Sequence, residues 1–478
     1  MISRIKILLI LTSVLITPIK CAICRFYLDT NSIYGCEMFE VNVTEENQTF
    51  EITGDHLSGY SDTNVTWLNV TDSGVLNFIS LTIFETFANL QTADLSKVEV
   101  KEIRQENFLK IHSVRTIILE GNSIQKIPSM AFMNCWQLRD LRLNDNAIDT
   151  IEDYAFSTEW SVLLNYLTLS NNLIKTLPEN AFAGLTSLSS LYLDGNQITE
   201  LPENIFISLL SLRVLNLDNN HLVSLLPDLF TATFNLNYLS IRSNQLESLD
   251  FGLSYLDSLS ELYIEHNKIS FLESSFFYTA NKLRIFEASW NNLSSIVNIT
   301  FQNSLSNELQ YVGLSHNSLT EIFPRNFQRL SNLRELRLND NKISSLPNDI
   351  FARCFFAPCR GPSTIDLSNN ELEVIDSKLF TETFDIQNLN LANNKISAID
   401  RNTFGMLPNI KNIFLAGNLC FGDDFKEITR EDMDKINESL EECYRKYDEL
   451  NNSTYPKYSF TTMLITVTIS AFLSQFTI

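Results

Sequence analysis

Positive charge is scarce in this 478-residue chain: 35 Lys and Arg stand against 57 Asp and Glu, leaving a net charge of −22. Nucleic acid, heparin-like glycans and anionic membrane surfaces all require a basic face, so they are disfavoured as partners. A neutral or basic protein is favoured. Glycine and proline are sparse too, at 13 and 11 residues, which leaves little room for flexible linkers and points to one large ordered body. Only five histidines occur, His56, His112, His221, His266 and His316. There is no serine nucleophile elbow, no phosphate-binding glycine loop, and no nucleophile placed with a base and an orienting group. Catalysis therefore has no visible carrier, and neither a cofactor nor an enzymatic role is expected.

Asparagine and phenylalanine, by contrast, are present in register. Thirteen asparagines recur through the chain: Asn122, Asn146, Asn172, Asn196, Asn220, Asn244, Asn267, Asn291, Asn317, Asn341, Asn370, Asn394 and Asn418. Each lies in a pattern of the form L-x-L-x-x-N-x-L/I, as in Leu191-Tyr-Leu193-Asp-Gly-Asn196-Gln-Ile198. Alternation of this kind directs the leucines inward from a short strand and leaves the intervening residues outside. Stacked copies make a parallel sheet, and an inward Asn can satisfy peptide groups that the turn would otherwise bury without partners. Ten residues after most of these positions comes a phenylalanine: Phe108, Phe132, Phe156, Phe182, Phe206, Phe230, Phe277, Phe301, Phe327, Phe351, Phe380 and Phe404. These are expected to stack as an interior spine. Two weaker copies, with Val98 and Ser73 at the Asn position, bring the expected total to fifteen repeats.

The motif resembles the 24-residue typical class of extracellular leucine-rich repeats, best in Leu177-Pro-Glu-Asn-Ala-Phe182-Ala-Gly-Leu185-Thr-Ser-Leu188-Ser-Ser-Leu191. The resemblance implies an α/β solenoid, a horseshoe with a parallel concave sheet and disulfide-stapled caps. Among such proteins are chaoptin- and connectin-like adhesion molecules, matrix proteoglycans and insect leucine-rich immune proteins, so fold is implied far more sharply than function. The expected layout is a secretory signal at 1–21, an N-terminal cap at 22–66, repeats at 67–419, a C-terminal cap helix at 420–450, and a linker with a hydrophobic tail at 451–478.

Both ends of that layout point to export. Arg4 and Lys6 precede the apolar run Ile7-Leu-Leu-Ile-Leu11 in the manner of a signal peptide. Nine N-x-S/T sequons agree: Asn42, Asn47, Asn64, Asn69, Asn292, Asn298, Asn437, Asn451 and Asn452. Residues 460–478 are uncharged and moderately apolar, with no basic stop-transfer group after them. This fits a lipid-anchor signal attached near Asn451 or Asn452; a single-pass span and a buried or disordered tail are the alternatives. The expected location is the cell surface or, in the second reading, free secretion.

Eight cysteines in an exported chain read first as disulfides. Cys24 and Cys36 bracket a short aromatic, strand-like stretch in the N-terminal cap, while Cys420 and Cys443 are expected to staple the C-terminal one. Cys135 and Cys354 fall where other repeats carry a core leucine, so Cys135 is expected to be a buried thiol; Cys354 could reach Cys359. Met433, Ile436, Leu440, Cys443, Tyr447 and Leu450 alternate in heptad fashion. Two readings follow: a helix packed on the last coil, or a dimerisation helix with Cys443 bridging two chains.

Function is expected on the sheet face. Its outward positions are mostly acidic, and between repeats they become aromatic at Tyr238, Tyr263, His266, Trp290, Tyr311 and His316, with Arg242 beside them. His266, Trp290 and His316 each immediately precede a ladder Asn, so they should form one column with steps of about 4.8 Å. His266 and His316 then stand roughly 10 Å apart, too far to share a zinc ion whose ligand atoms lie about 2 Å away. Exposed rings flanked by charge suit a protein-binding hot spot.

Overall fold

The computed structural model describes residues 21–454 apart from 47, 72–73, 110, 158–162, 250–254, 273–276, 278–279, 297–307, 324–325, 328–329, 331, 349, 351–360 and 381–384. Residues 1–20 of the expected signal, Ser73, the sequons Asn47 and Asn298, the spine residues Phe301 and Phe351, Cys354, Cys359 and the tail from 455 onward lie outside the described residues. The chain divides into two compact units, 1–215 and 216–478.

In the first unit, Cys21–Leu28 and Tyr34–Phe39 form an antiparallel pair with Cys24 bonded to Cys36. The second of these strands continues the sheet in parallel to Trp67–Val70 and then to Thr92–Asp94, Thr116–Ile118, Asp140–Arg142, Tyr166–Thr168 and Ser190–Tyr192. Leu68, Ala93, Ile117, Leu141, Leu167 and Leu191 stand in register at strand centres, all with no exposure to solvent. Period-two alternation thus gives each coil a dry inner residue and two outward neighbours.

The second unit repeats the device from Tyr238–Ser240 through Glu261–Tyr263, Ile285–Glu287, Tyr311–Gly313, Glu335–Arg337, Thr364–Asp366, Asn388–Asn390 and Asn412–Phe414. The last pairs antiparallel with Asp424–Phe425.

The Asn ladder joins the coils. Asn172 donates from Nδ2 to the carbonyls of Leu143 and Leu169, at 3.0 and 2.9 Å, and accepts the Ile148 N–H at 3.0 Å. Asn291 makes the equivalent bonds to Ile264, Ala288 and Ile269. A leucine of similar size could satisfy none of these buried peptide groups.

On the side away from the sheet, the coils are closed mostly by turns and short 3-10 helices, with one six-residue helix, α1 (Leu81–Thr86), among the described residues before 420. Phe108, Phe132, Phe156 and Phe182 stack there at centroid spacings of 5.1, 6.2 and 6.0 Å. Cys135 is a buried free thiol, and burial pushes its ionisation far up, so it is inert core.

The C-terminal cap departs from a single helix. It comprises α2 (Met433–Ser439) and α3 (Glu441–Thr454), broken at Leu440, with α3 running four residues beyond the expected boundary at 450. Ile436, Leu440, Cys443 and Tyr444 are buried. Cys443 is bonded to Cys420 of its own chain, Arg401 meets Glu441 through two hydrogen bonds, and the Tyr447 hydroxyl donates to Asp376. The heptad positions Ile436, Leu440 and Cys443 therefore pack inward while Leu450 stays exposed, and Cys443 has no thiol left to bridge a second chain. No helix among the described residues is long and apolar enough to cross a membrane.

Candidate functional site

Where the chain leaves each strand and turns toward its ladder Asn, the preceding residue adopts a left-handed conformation. Gly121, Gly195 and Gly417 occupy this corner, as do Asp145, Asn171, Asn219, Ser243, Asp340, Asn369 and Asn393, with φ between 53° and 76°. These are residue types that accept positive φ at little or modest cost. In three successive repeats the corner instead holds His266, Trp290 and His316, at φ 54°, 58° and 51°. Trp is a bulky residue for which that region is a genuine outlier, and such strain persists only where the surroundings enforce it.

The three rings stack. Trp290 lies 5.3 Å from His266 and 3.7 Å from His316, with interplanar angles of 16° and 14°. Both faces of the indole are thus covered, yet Trp290 remains 50% exposed, through its edge. Asn292, an exposed sequon, adjoins this column two residues after Trp290.

Beside the stack lies a cleft of about 550 Å³ lined by Glu265, Glu287, Ser289, Ser315, Arg337 and Asp366 together with the three rings and their neighbours. Its floor follows from one glycine. Along the row of strand-end residues Tyr263, Glu287, Gly313, Arg337 and Asp366, only Gly313 has no side chain, and Glu287 leans across the vacancy. A Cβ at 313 would sit 2.2 Å from both carboxylate oxygens. Glu287 is held there by the Tyr311 hydroxyl and by the Ser289 hydroxyl and N–H, all donating. The chain of bonds continues as the Ser315 N–H donates to Ser289 Oγ, Ser315 Oγ to Asn339 Oδ1, and Asn339 Nδ2 to Asp340. Asp340 in turn faces His316 Nε2 at 3.3 Å.

The remaining expected residues form an adjoining cluster. Tyr238 and Tyr263 pack at 5.3 Å, Arg242 lies 4.0 Å over the Tyr263 ring, and its guanidinium meets Glu265 at 2.9 Å. Burial pushes the Glu265 carboxyl up to about 7 despite Arg242. Burial also raises Tyr263 and Tyr311, each reinforced by the carboxylate that its hydroxyl faces, Glu261 and Glu287. Tyr311 points into this network rather than to solvent, with Arg337 over its ring at 5.4 Å.

The seven residues picked from sequence therefore split: His266, Trp290 and His316 line the cleft, while Tyr238, Arg242, Tyr263 and Tyr311 buttress its surroundings. Sequence reasoning missed Glu287, Ser289, Ser315, Asn339 and Gly313 as parts of the site. The spacing of an acid two residues before a serine, as in Glu287–Ser289, Asp366–Ser368 and Asp94–Ser96, was a usable signal, since the serine N–H and hydroxyl both bond the acid in each case. Much of the acidic face is thus committed to internal bonds. Among the described residues no group of three or more His, Cys, Asp or Glu side chains could hold a metal ion.

The described sequons vary in setting. Asn42, Asn64, Asn292 and Asn451 are exposed, whereas Asn69, within Trp67–Val70, and Asn437, which accepts the Tyr444 hydroxyl, are half-buried. Asn451 and Asn452, expected near a lipid-anchor site, fall in the last turn of α3.

Comparison with known proteins agrees with this architecture. A leucine rich repeat model matches residues 136–198, 210–269, 307–354 and 363–419, and a BspA type leucine rich repeat region matches 29–162. Tsukushi of Gallus gallus is 36% identical over 138 residues, which are 29% of this chain and 34% of Tsukushi. The match therefore spans about a third of that relative's length. A leucine-rich repeat protein of Leptospira interrogans superimposes with a TM-score of 0.59 at 21% identity, covering 80% of this chain and 83% of that one. A chain of the Drosophila Toll–Spatzle complex, in its glycosylated form, gives 0.65 at 22% identity over 75% of this chain and 48% of that one.

Proposed function

The chain belongs to the leucine-rich repeat proteins, and from that premise we propose that it is a non-enzymatic, extracellular protein-binding solenoid, an adhesion molecule or co-receptor at the cell surface. The observation that carries this reading is the column His266–Trp290–His316, large rings held at corners where the fold elsewhere uses glycine, asparagine, aspartate, serine and, once, lysine. All three rings line a cleft, and Trp290 is half exposed there. Strained residues concentrate where recognition requires them, and aromatic side chains bury much area with few rotors to freeze. The fold is shared with Toll, whose structure was determined in complex with Spatzle, and two disulfides suit an oxidising compartment. The apolar, uncharged stretch 460–478 supports a membrane tether, of the lipid-anchor kind.

Two experiments test the proposal. A cell-surface interaction screen with the exported protein supplies a ligand; replacing Trp290 and Tyr263 together by Ala should abolish its capture without unfolding the chain. Unchanged capture would remove the sheet face as the site. Phospholipase treatment of intact cells should release the protein, whereas free secretion with residues 460–478 retained would remove the tether.

A further inference from the structure

The sheet face handles its own guanidinium groups in a recurrent way. Arg142 lies over Tyr166 and pairs with Asp140, Arg242 lies over Tyr263 and pairs with Glu265, and Arg337 lies over Tyr311 and pairs with Glu335. Each arginine thus has one ring and one carboxylate. On either side of Arg337 the same ingredients recur at Glu287 and Asp366 without a cation of their own among the described residues. Glu287 and Asp366 make no ion pair among the described residues and are held only by hydroxyl and N–H donors. Trp290 and the two imidazoles supply the aromatic wall. Four carboxylates line the cleft, of which Glu265 and Glu335 are paired with Arg242 and Arg337, leaving Glu287 and Asp366 for an incoming cation.

We infer that this cleft receives a basic loop of the protein ligand and seats one arginine of that loop against Glu287, beside the edge of the Trp290 stack. The inference rests on the protein-binding reading above and adds the chemistry of the ligand to it. Charge complementarity selects the occupant, because a neutral or acidic side chain would leave these carboxylates desolvated without compensation. Preorganisation strengthens the case. Glu287 is fixed by its three donors and by the space that Gly313 leaves, so little side-chain freedom remains to be lost on binding. Arginine suits the site better than lysine, since its planar fork matches a carboxylate with two parallel bonds and lies readily against aromatic surfaces.

The test uses the full chain and a short arginine-containing peptide, with the uncharged citrulline counterpart of the same shape, followed by titration calorimetry. The arginine peptide should bind at least about tenfold more tightly than the citrulline one, and Glu287→Gln should erase that difference. Glu287→Gln keeps the shape and accepting oxygen of residue 287, and its melting temperature reports whether the fold is intact. Gly313→Ala should weaken binding as well with every charge retained, because the added methyl occupies the carboxylate's place. Glu371→Gln, exposed and paired with Lys395 outside the cleft, should change nothing. Binding that ignores Glu287→Gln, or that falls equally with Glu371→Gln, would show only general attraction to an acidic protein and overturn the inference. The two readings fail separately. If the Trp290 and Tyr263 double variant loses its ligand while the peptide ignores Glu287, only the arginine site falls. If the peptide needs Glu287 while ligand capture survives the double variant, the reading that the ligand docks on the sheet face falls and the cleft stands as an arginine site.

Discussion

The turn before the ladder asparagine is built twice over, once in each unit, from the same backbone and different side chains. In the first unit its left-handed corner carries Lys97, Gly121, Asp145, Asn171 and Gly195; in the second, the successive corners His266, Trp290 and His316 interrupt a series of Asn219, Ser243, Asp340, Asn369, Asn393 and Gly417. The ladder bonds of Asn172 and Asn291 and the parallel register of the strands are alike in the two. What differs is therefore not the framework but what it presents. A repeat fold can hold every coil to one geometry through its inward residues and leave the corner free to vary. Where the corner departs from backbone preference, the departure marks a surface chosen for something other than stability.

The largest expected effect probes the shared framework. Asn196→Ala and Asn291→Ala each remove four hydrogen bonds to peptide groups and should each cost about 3 kcal/mol, read as a shift in urea midpoint. A much smaller loss in one unit would break the equivalence. A reciprocal exchange of corner residues comes next. Asn171→Trp installs a bulky side chain at φ 55° without neighbouring rings to hold it and should destabilise by about 1–2 kcal/mol. Trp290→Asn, the opposite exchange, relieves backbone strain while losing two ring contacts, so stability should move by less than about 1 kcal/mol while ligand capture disappears. A large loss of stability from Trp290→Asn would make the stack a structural element instead.

The smallest effect concerns pH. In the folded protein the Glu265 carboxyl is pushed up to about 7 by burial, against an ordinary value of 4.5. Between those limits the folded chain holds a proton that the unfolded chain has released. Its contribution to stability is therefore complete below the lower value and is lost as pH rises through the upper one. Glu265→Gln should remove that part of the decline, so the gap in melting temperature between variant and parent should widen in the variant's favour from about pH 5 to about pH 8. A constant gap would show that Glu265 titrates normally.

Local periodicity made much of this legible in advance. The L-x-L-x-x-N pattern and the trailing phenylalanine are properties of one coil repeated, so the ladder, the spine formed by Phe108, Phe132, Phe156 and Phe182, and the buried Cys135 could be placed by counting. The same counting put His266, Trp290 and His316 in a column. It did not reveal that Tyr311 turns into a network with Glu287, because that contact depends on what neighbouring strands carry at the same level. Nor did heptad spacing disclose the break at Leu440, where packing on the last coil and the Cys420–Cys443 bond override a continuous helix.

Sequence by itself determined the stack of coils, its dry interior and the row of corners, since each follows from alternation and turn chemistry within about 24 residues. Only the tertiary structure decided which outward carboxylates are spent on neighbours and which face a cleft. Stacking brings Glu287 over Gly313, 26 positions later in the chain, and sets it beside Trp290. That juxtaposition depends on the register between strands, which lets the Glu287 carboxylate fill the space that Gly313 leaves.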